Sequence, residues 1–482
     1  MSFIARHDLW SDEQRRAADE VQRRIEADRI ELVRLSFPDL HGILRGKALL
    51  AAAMPGAMRD GCTVTSTLLL KDTSHRTVVP VFSAGAGLGR PELQGGGDIV
   101  MVPDPTTFRV LPWLQSTGWM LCDLYFADGS PVPHSTRHLF RRTLEQLPRG
   151  QSFVTGLEVE FHVMRLVDAN LALDDGGQPG TPPTVELIHH GYQHLTEQRL
   201  DRIEPIVDIL RRDVLALGLE LSSVEVEFGP SQVEFVFRAA AGMKPADDMV
   251  LFRNAVKQIC RRHGYHATFM CRPAFENAMS SGWHLHQSLA DAQGPAAGKG
   301  RNLFAPEDAA TLLSPLGRYY LAGLFDGACE AVAFTTPTIN GYKRYRPLSL
   351  APDRVAWARD NRGAMLRVVG GSNPDAARIE NRIGEPAANP YLYLASQLAT
   401  GLAGVAAAKE PPPPADAPYE TKAQMLPTSL SAALDALTSG RVLREAFGAE
   451  FIDYYALIKR AEVRRYETSV TDWEMNEYFD VF

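Results

Sequence analysis

Residues 156–163, GLEVEFHV, alternate apolar and polar positions with a period of two and so predict a β-strand. Glu158 and Glu160 fall on one face of it, Val159 and Phe161 on the other. The same period recurs in EVEFGPSQVEFVF, 225–237, where Glu225, Glu227 and Glu234 lie around Gly229-Pro230-Ser231. That turn predicts a hairpin bringing Glu227 and Glu234 close on one face. In SSGWHLHQSL, 280–289, His284 and His286 share a side. In ARIENRIGEP, 377–386, Arg378, Glu380 and Arg382 share one face while Ile379 and Ile383 pack on the other. Like charges set side by side on otherwise apolar strands are costly unless something cationic lies between them.

The remaining pattern supplies a frame for these strands. Residues 11–28 open on a Ser N-cap and predict a polar-faced helix. ELVRLSFPD reads as a strand, HGILRGKALL as a turn into another, and DIVMVPDPTTFRVLPW and GWMLCDLY as further short strands. A small β-rich domain therefore ends near residue 125. Beyond it, strands mix with helices predicted in STRHLFRRTLEQL, in 189–219 and in ADDMVLFRNAVKQICRRHG. An alanine-rich helix at 395–409 precedes a polyproline-like loop, EPPPPADAP. The glycine-rich stretch 83–97 contains GAGLG, but Arg90-Pro91 follows where a dinucleotide site needs a helix, so it reads as a flexible loop. The whole is α+β.

Composition narrows the classes. A chain of 482 residues has room for a minor and a major domain. Its net charge of −8 and lack of a basic block argue against nucleic acid as a partner. Five scattered cysteines without a C-x-x-C fit reduced thiols in a cytoplasm. The charged N-terminus lacks an apolar core for a signal peptide, and no run of about 18 apolar residues predicts a membrane span.

Taken singly, a strand glutamate is usually solvated and a strand histidine usually structural. A set of inward acids, with histidines and several arginines, on apolar strands needs one explanation. Hard divalent cations take carboxylate oxygens and tolerate imidazole, which points to Mg²⁺ or Mn²⁺. Arg344, Arg362 and Arg367, from YKRYRP and RDNRGAMLR, suit phosphate or carboxylate groups of a substrate. Metals with an arginine fan suit phosphoryl transfer.

These stretches also resemble the glutamine synthetase superfamily over nearly the whole chain. The matching run is VRLSFPDLHGILRGK, GDIVMVPD, LCDLYFADGSP, GLEVEFHV, VEFGPSQVEF, GWHLHQSL, TTPTINGYKR, ARIENRI and EPAANPYLYLA, in family order. The resemblance implies an N-terminal β-grasp-like domain with a leading helix, 1–125. It implies a catalytic domain, 126–482, whose curved antiparallel sheet forms a half-barrel with helices. It implies ring assembly, commonly a double hexamer, with active sites between subunits. The implied reaction uses ATP to phosphorylate the γ-carboxylate of glutamate; an amine then displaces the phosphate. Two or three Mg²⁺ or Mn²⁺ ions are implied: Glu160, Glu227 and Glu234 would hold one, and Glu158, His284 and Glu380 the second. Arg344 would bind the substrate α-carboxylate, with Arg382 near the glutamate or its acyl phosphate. Arg362 and Arg378 would face the phosphates, joined by Arg367 on the nucleotide side, with His286 and Ser288 near the nucleotide. Asp39 would come from the adjacent subunit to orient the amine or take its proton.

Departures from the family pattern bear on the amine. Where glutamine synthetases carry a glutamate after YKR, this chain has Leu350. Met279, Ser280 and Trp283 replace small polar positions before the histidine. An apolar amine pocket follows if these side chains line it, whereas Trp283 could instead pack in the core. An arylamine arrives neutral and least needs the missing acid. The expectation is therefore a γ-glutamylamide synthetase acting on a hydrophobic amine such as aniline, in amine catabolism. The alternatives are an ammonia-using glutamine synthetase or a γ-glutamyl-polyamine or ethanolamine synthetase. Loops 83–97 and 345–351 are the expected lids.

Overall fold

The computed structural model describes residues 1–291, 300–308, 311–346, 350–370 and 373–482. Part of the second expected lid, 347–349, lies outside the described residues. The leading helix runs Asp12–Ala27 and begins where Ser11 caps it. Gln14 N–H donates to Ser11 Oγ at 3.2 Å, and Ser11 N–H donates back to Gln14 Oε1 at 3.0 Å.

Six strands form the first sheet: β1 Leu32–Pro38, β2 Leu44–Leu50, β3 Cys62–Thr65, β4 Asp98–Pro103, β5 Arg109–Val110 and β6 Thr117–Tyr125. The order is β2-β1-β6-β4-β3, with β5 on β6. β1 and β6 run parallel at the centre, and β1 and β2 form a hairpin through Asp39. Val33, Leu35 and Phe37 alternate into a core with Val21 and Ile25 of the leading helix. Trp119 and Leu121 point the other way and join the larger core of the second half.

The second sheet has nine strands: β7 Gln151–Asp168, β8 Thr184–Glu186, β9 Leu221–Val226, β10 Gln232–Ala241, β11 Tyr265–Thr268, β12 Trp283–Asp291, β13 Trp357–Arg359, β14 Leu366–Val369 and β15 Arg378–Asn381. Its order is β13-β14-β15-β12-β7-β10-β9, with β8 and β11 also on β7. Register shifts beside Phe237, against both β7 and β9, are irregularities of the kind that bend a sheet. One face packs on helices: Phe161 and Phe235 meet Phe252 of the helix Lys244–Arg262, and Phe161 stacks on Phe269 at 4.8 Å. The opposite face is the polar one.

A buried arginine joins the two halves. Arg137, on the helix Thr136–Leu144, bonds Asp104 at 2.7 Å, Asp123 at 2.9 Å and Asp247 at 2.8 Å. Burial pushes the Asp123 carboxyl up, but Arg137 and Arg141 override it and hold the acid well below its ordinary range.

Two expectations need correcting. The helix expected from residue 189 starts only at Glu197 and runs to Ala216. Before it, Gly191, Tyr192 and Leu195 adopt positive φ, and the chain bonds instead to the β9–β10 turn. The glycine-rich stretch forms two short turns, Gly87–Gly89 and Pro91–Gly96, and Arg90 ties it to Glu450 at 2.7 Å. None of its residues lines the polar cavity described below. No described helix is long and apolar enough to cross a membrane.

Candidate active site

Strand parity assembles the site. Glu160 on β7 sits opposite Glu234 on β10, and Glu234 opposite Glu225 on β9, so three acids form a row across three strands. Glu158 sits opposite His284 on β12, His286 opposite Glu380 on β15, and Glu380 opposite Arg367 on β14. These side chains and Arg344, Arg362 and Arg382 surround a cavity of about 410 Å³; of this set only His286 and Glu380 stand back from its surface.

Among the described residues, two groups of ligand atoms come within 4.8 Å of one another: Glu158, His284 and Glu380, and Glu160, Glu234 and His284. The first is the expected second-metal set. In the other, His284 stands where Glu227 was expected. Glu227 lines the same cavity, but its carboxylate faces His194 at 3.7 Å and accepts the backbone N–H of Phe228 at 3.2 Å.

The electrostatics fit a cation. Burial, then repulsion from Glu227, pushes the Glu160 carboxyl up to about 8. Burial, then repulsion from Glu160 and Glu158, pushes Glu234 up to about 10. Burial and Arg382 push His284 down to about 4, so its imidazole is neutral and offers a lone pair. A divalent ion would let both acids ionise, and this set of hard oxygens with one imidazole suits Mg²⁺ or Mn²⁺.

Outer contacts orient the donors. Arg378 Nε donates to His286 Nδ1 at 3.0 Å, which leaves His286 Nε2–H to donate to Glu158 Oε1 at 2.8 Å. These bonds and His284 keep the Glu158 carboxyl low in spite of its burial. Arg367 grips Glu380 at 2.9 Å, and Arg382 pairs with its other oxygen. Arg344 donates to the carbonyls of Gly384 at 2.7 Å and Arg382 at 3.0 Å. Gly282 N–H donates to Glu160 at 2.9 Å. A Cβ on Gly282 would lie 2.5 Å from Arg344 and 2.9 Å from His284, so glycine here leaves room for both side chains.

Other expected residues lie elsewhere. Trp283 is 0% exposed, opposite Val159 on the core face, with its ring edge against Tyr393. It does not line the cavity because its neighbour His284 does: adjacent strand residues point apart. Ser288 and Arg378 are also absent from the lining, with Arg378 acting through His286. Ser280 and Leu350 do line it, Ser280 accepting from Arg272 at 3.1 Å and Leu350 being 47% exposed. Asp39 lies outside its own chain's cavity. Its carboxylate accepts from His41 N–H, Ile43 N–H and Arg45 Nε, each at 2.9 Å. A larger cavity of about 720 Å³ lies beside the Asp39 turn, but no carboxylate lines it.

Sequence reasoning missed His194, Leu195, Phe228 and Arg272 as lining residues. The Gly191-Tyr192 pair was the one visible sign that a helix could not begin at 189.

Comparison with known proteins follows the same lines. The profile of the family described as "Glutamine synthetase, catalytic domain" matches residues 133–478. A gamma-glutamylanilide synthase of an Acinetobacter species is 43% identical, over 100% of this chain and 99% of the relative. A gamma-glutamylethanolamide synthetase of Streptomyces coelicolor is 32% identical, over 96% of this chain and 95% of the relative. The solved structure of GmaS without ligand superposes with a TM-score of 0.78 at 27% identity, covering 95% of this chain and 99% of that one.

Proposed function

We propose, from the premise that this chain belongs to the glutamine synthetase family and is an ATP-dependent ligase of it, that it joins glutamate to a hydrophobic amine. The amine is aniline-like, and the product is a γ-glutamylamide formed in amine catabolism. The supporting observation is that one cavity combines a carboxylate–imidazole row, a fan of arginines that includes Arg344, Arg362, Arg367 and Arg382 and, at its rim, Leu350.

In this reading the γ-carboxylate of glutamate attacks the terminal phosphorus of ATP, and ADP leaves. The amine lone pair then attacks the acyl carbon, phosphate departs, and the nitrogen gives up a proton. Glu158, His284 and Glu380, and Glu160, Glu234 and Glu227, would hold two or more divalent ions, whose chemistry is neutralisation of phosphate charge. Arg344 binds the α-carboxylate. Arg382, Arg362 and Arg367 face the transferring phosphoryl group, where added positive charge lowers the barrier. Arg378 and His286 keep Glu158 ionised and oriented. Ser280 borders the glutamate end, and Ser288 stands further along β12 toward the nucleotide.

Asp39 acts in a neighbouring subunit of a ring, where it receives the amine proton. Its place outside its own cavity supports that arrangement, and its three hydrogen bonds fix its direction.

The test is ADP release with ATP, Mg²⁺ and glutamate across ammonium, aniline, chloroanilines, isopropylamine, ethanolamine and putrescine. Strong turnover with anilines and little with ammonium is expected. Robust turnover with ammonium at low concentration would replace the proposal with a glutamine synthetase.

A further inference from the structure

The geometry points to His194 and Phe228 as an aromatic shelf that selects the ring of an arylamine, at the end of the cavity held by Glu227. The inference rests on the ligase reading above and deepens it by naming the residues that recognise the amine.

The shelf is built by a stretch of chain that a simpler fold would have left helical. Tyr192 and Leu195 have φ of 55° and 58°, values that non-glycine residues adopt only when their surroundings impose them. Several bonds impose them here. Tyr192 N–H donates to the Phe228 carbonyl at 2.8 Å, and Leu195 N–H to the Val226 carbonyl at 3.2 Å. The buried His189 Nδ1 accepts from Gly191 at 3.1 Å and from Ser231 at 3.4 Å. Gly191 passes so close to the β9–β10 turn that a Cβ would lie 2.5 Å from the Pro230 nitrogen.

The result is a parallel stack. The His194 and Phe228 rings lie 4.3 Å apart at 15°. Both line the carboxylate cavity, together with Leu195, Val236 and Met279. Tyr192 ties in the facing loop, donating to the Asn277 carbonyl at 3.1 Å, with Met279 Sδ at 3.8 Å. The remaining lining is mostly acids and arginines, so this is the apolar sector of an otherwise charged site.

Such a sector is of no use to ammonium, which has no apolar atoms to place there. A phenyl ring gains from it by leaving water and stacking, while its amino nitrogen stays near the Glu227 end. His194 Nε2, 3.7 Å from Glu227, holds the two parts together.

The test compares the parent with Phe228→Leu and His194→Ala in the ADP-release assay, using aniline, 4-chloroaniline, isopropylamine and ammonium. Both substitutions are expected to raise KM for the two anilines by roughly tenfold, the scale of one lost ring contact, with KM for glutamate within about twofold of the parent. The advantage of anilines over isopropylamine should shrink in step. Mg²⁺-induced thermal stabilisation reports whether the carboxylate row is intact. If Phe228→Leu loses that stabilisation, His194→Ala decides. Unchanged aniline KM in a variant that keeps the Mg²⁺ response overturns the shelf and leaves the ligase reading standing. A parent that uses ammonium or alkylamines but no aniline overturns the shelf together with the aniline-like amine, and leaves only the ATP-dependent ligase standing. A parent that turns over no amine overturns both.

Discussion

Replacing Glu234 by Gln should make the metal-free protein more stable and weaken its response to divalent metal. In the fold, burial and the neighbouring acids push the Glu234 carboxyl up to about 10, against 4.5 as its ordinary value. The folded value lies above the unfolded one, so the group costs nothing below about pH 4.5, and its cost grows as pH rises toward the folded value. At pH 7 the folded group must keep a proton that the unfolded chain has released. The separation is about 2.5 pH units at ~1.4 kcal/mol each, a ceiling of about 3–4 kcal/mol. Gln is nearly isosteric with the protonated acid and never needs that proton. Local relaxation reduces the gain to about 1–3 kcal/mol, or roughly 1–3 °C in Tm for a chain of 482 residues.

The assay is a set of thermal melts in EDTA from pH 5 to 9, repeated with saturating Mg²⁺ or Mn²⁺. The gap between variant and parent should open with pH in EDTA. With metal the gap should close or reverse, because the parent gains binding energy at the set containing Glu234 that the variant lacks, about 2.7 kcal/mol at a hundredfold excess over Kd. A variant that melts no higher than the parent at any pH in EDTA would refute the argument from carboxylate crowding. A full metal response in the variant would refute the placement of Glu234 among the ligands.

Leu350→Glu puts a carboxylate at the cavity rim and is expected to raise kcat/KM for ammonium relative to aniline by about tenfold, the value of one charge-assisted contact; an unchanged ratio would remove Leu350 from the specificity argument. Trp283→Phe should lower stability by about 1–3 kcal/mol through lost core volume, with the amine profile unaltered. A shifted aniline KM with an unaltered melt would put Trp283 back in the pocket. Arg137→Met strands Asp104, Asp123 and Asp247 without their shared cation and should cost about 3–5 kcal/mol in urea melts; a smaller loss would mean that water replaces the guanidinium.

Much of the carboxylate–imidazole cluster could be read from the sequence because it lies on strands. A period of two puts Glu158 with Glu160, and His284 with His286, whatever the rest of the chain does. The Gly229-Pro230-Ser231 turn then pairs β9 with β10, and the long-range registers of β7 against β10 and β12 complete the row. The same parity decides against Trp283 as a pocket residue. Once His284 faces the acids, Trp283 faces Val159 and Tyr393, so the two cannot both serve the site, as the sequence alone already required. Glu227 is harder to place: it lies just past the end of β9, where parity lapses and its own backbone and His194 decide its direction.

The amine end was hidden for a different reason. Residues 189–196 carry apolar positions at helical spacing, and local pattern favours extending the helix that begins at Glu197 back through them. What prevents it is tertiary: the bonds to Phe228 and Val226 and the close passage of Gly191 over Pro230 exist only after the β9–β10 hairpin has formed. Groups that handle charge here sit mainly on regular strands, where position is dictated by hydrogen-bond ladders. The residues proposed to choose the amine sit on a loop and a turn held in place by those strands. Variation in residues 192–195 and 228 can therefore change the amine accepted without disturbing the carboxylate row, whereas a one-residue change of register in β10 would turn Glu234 into the core and Phe235 into the cavity.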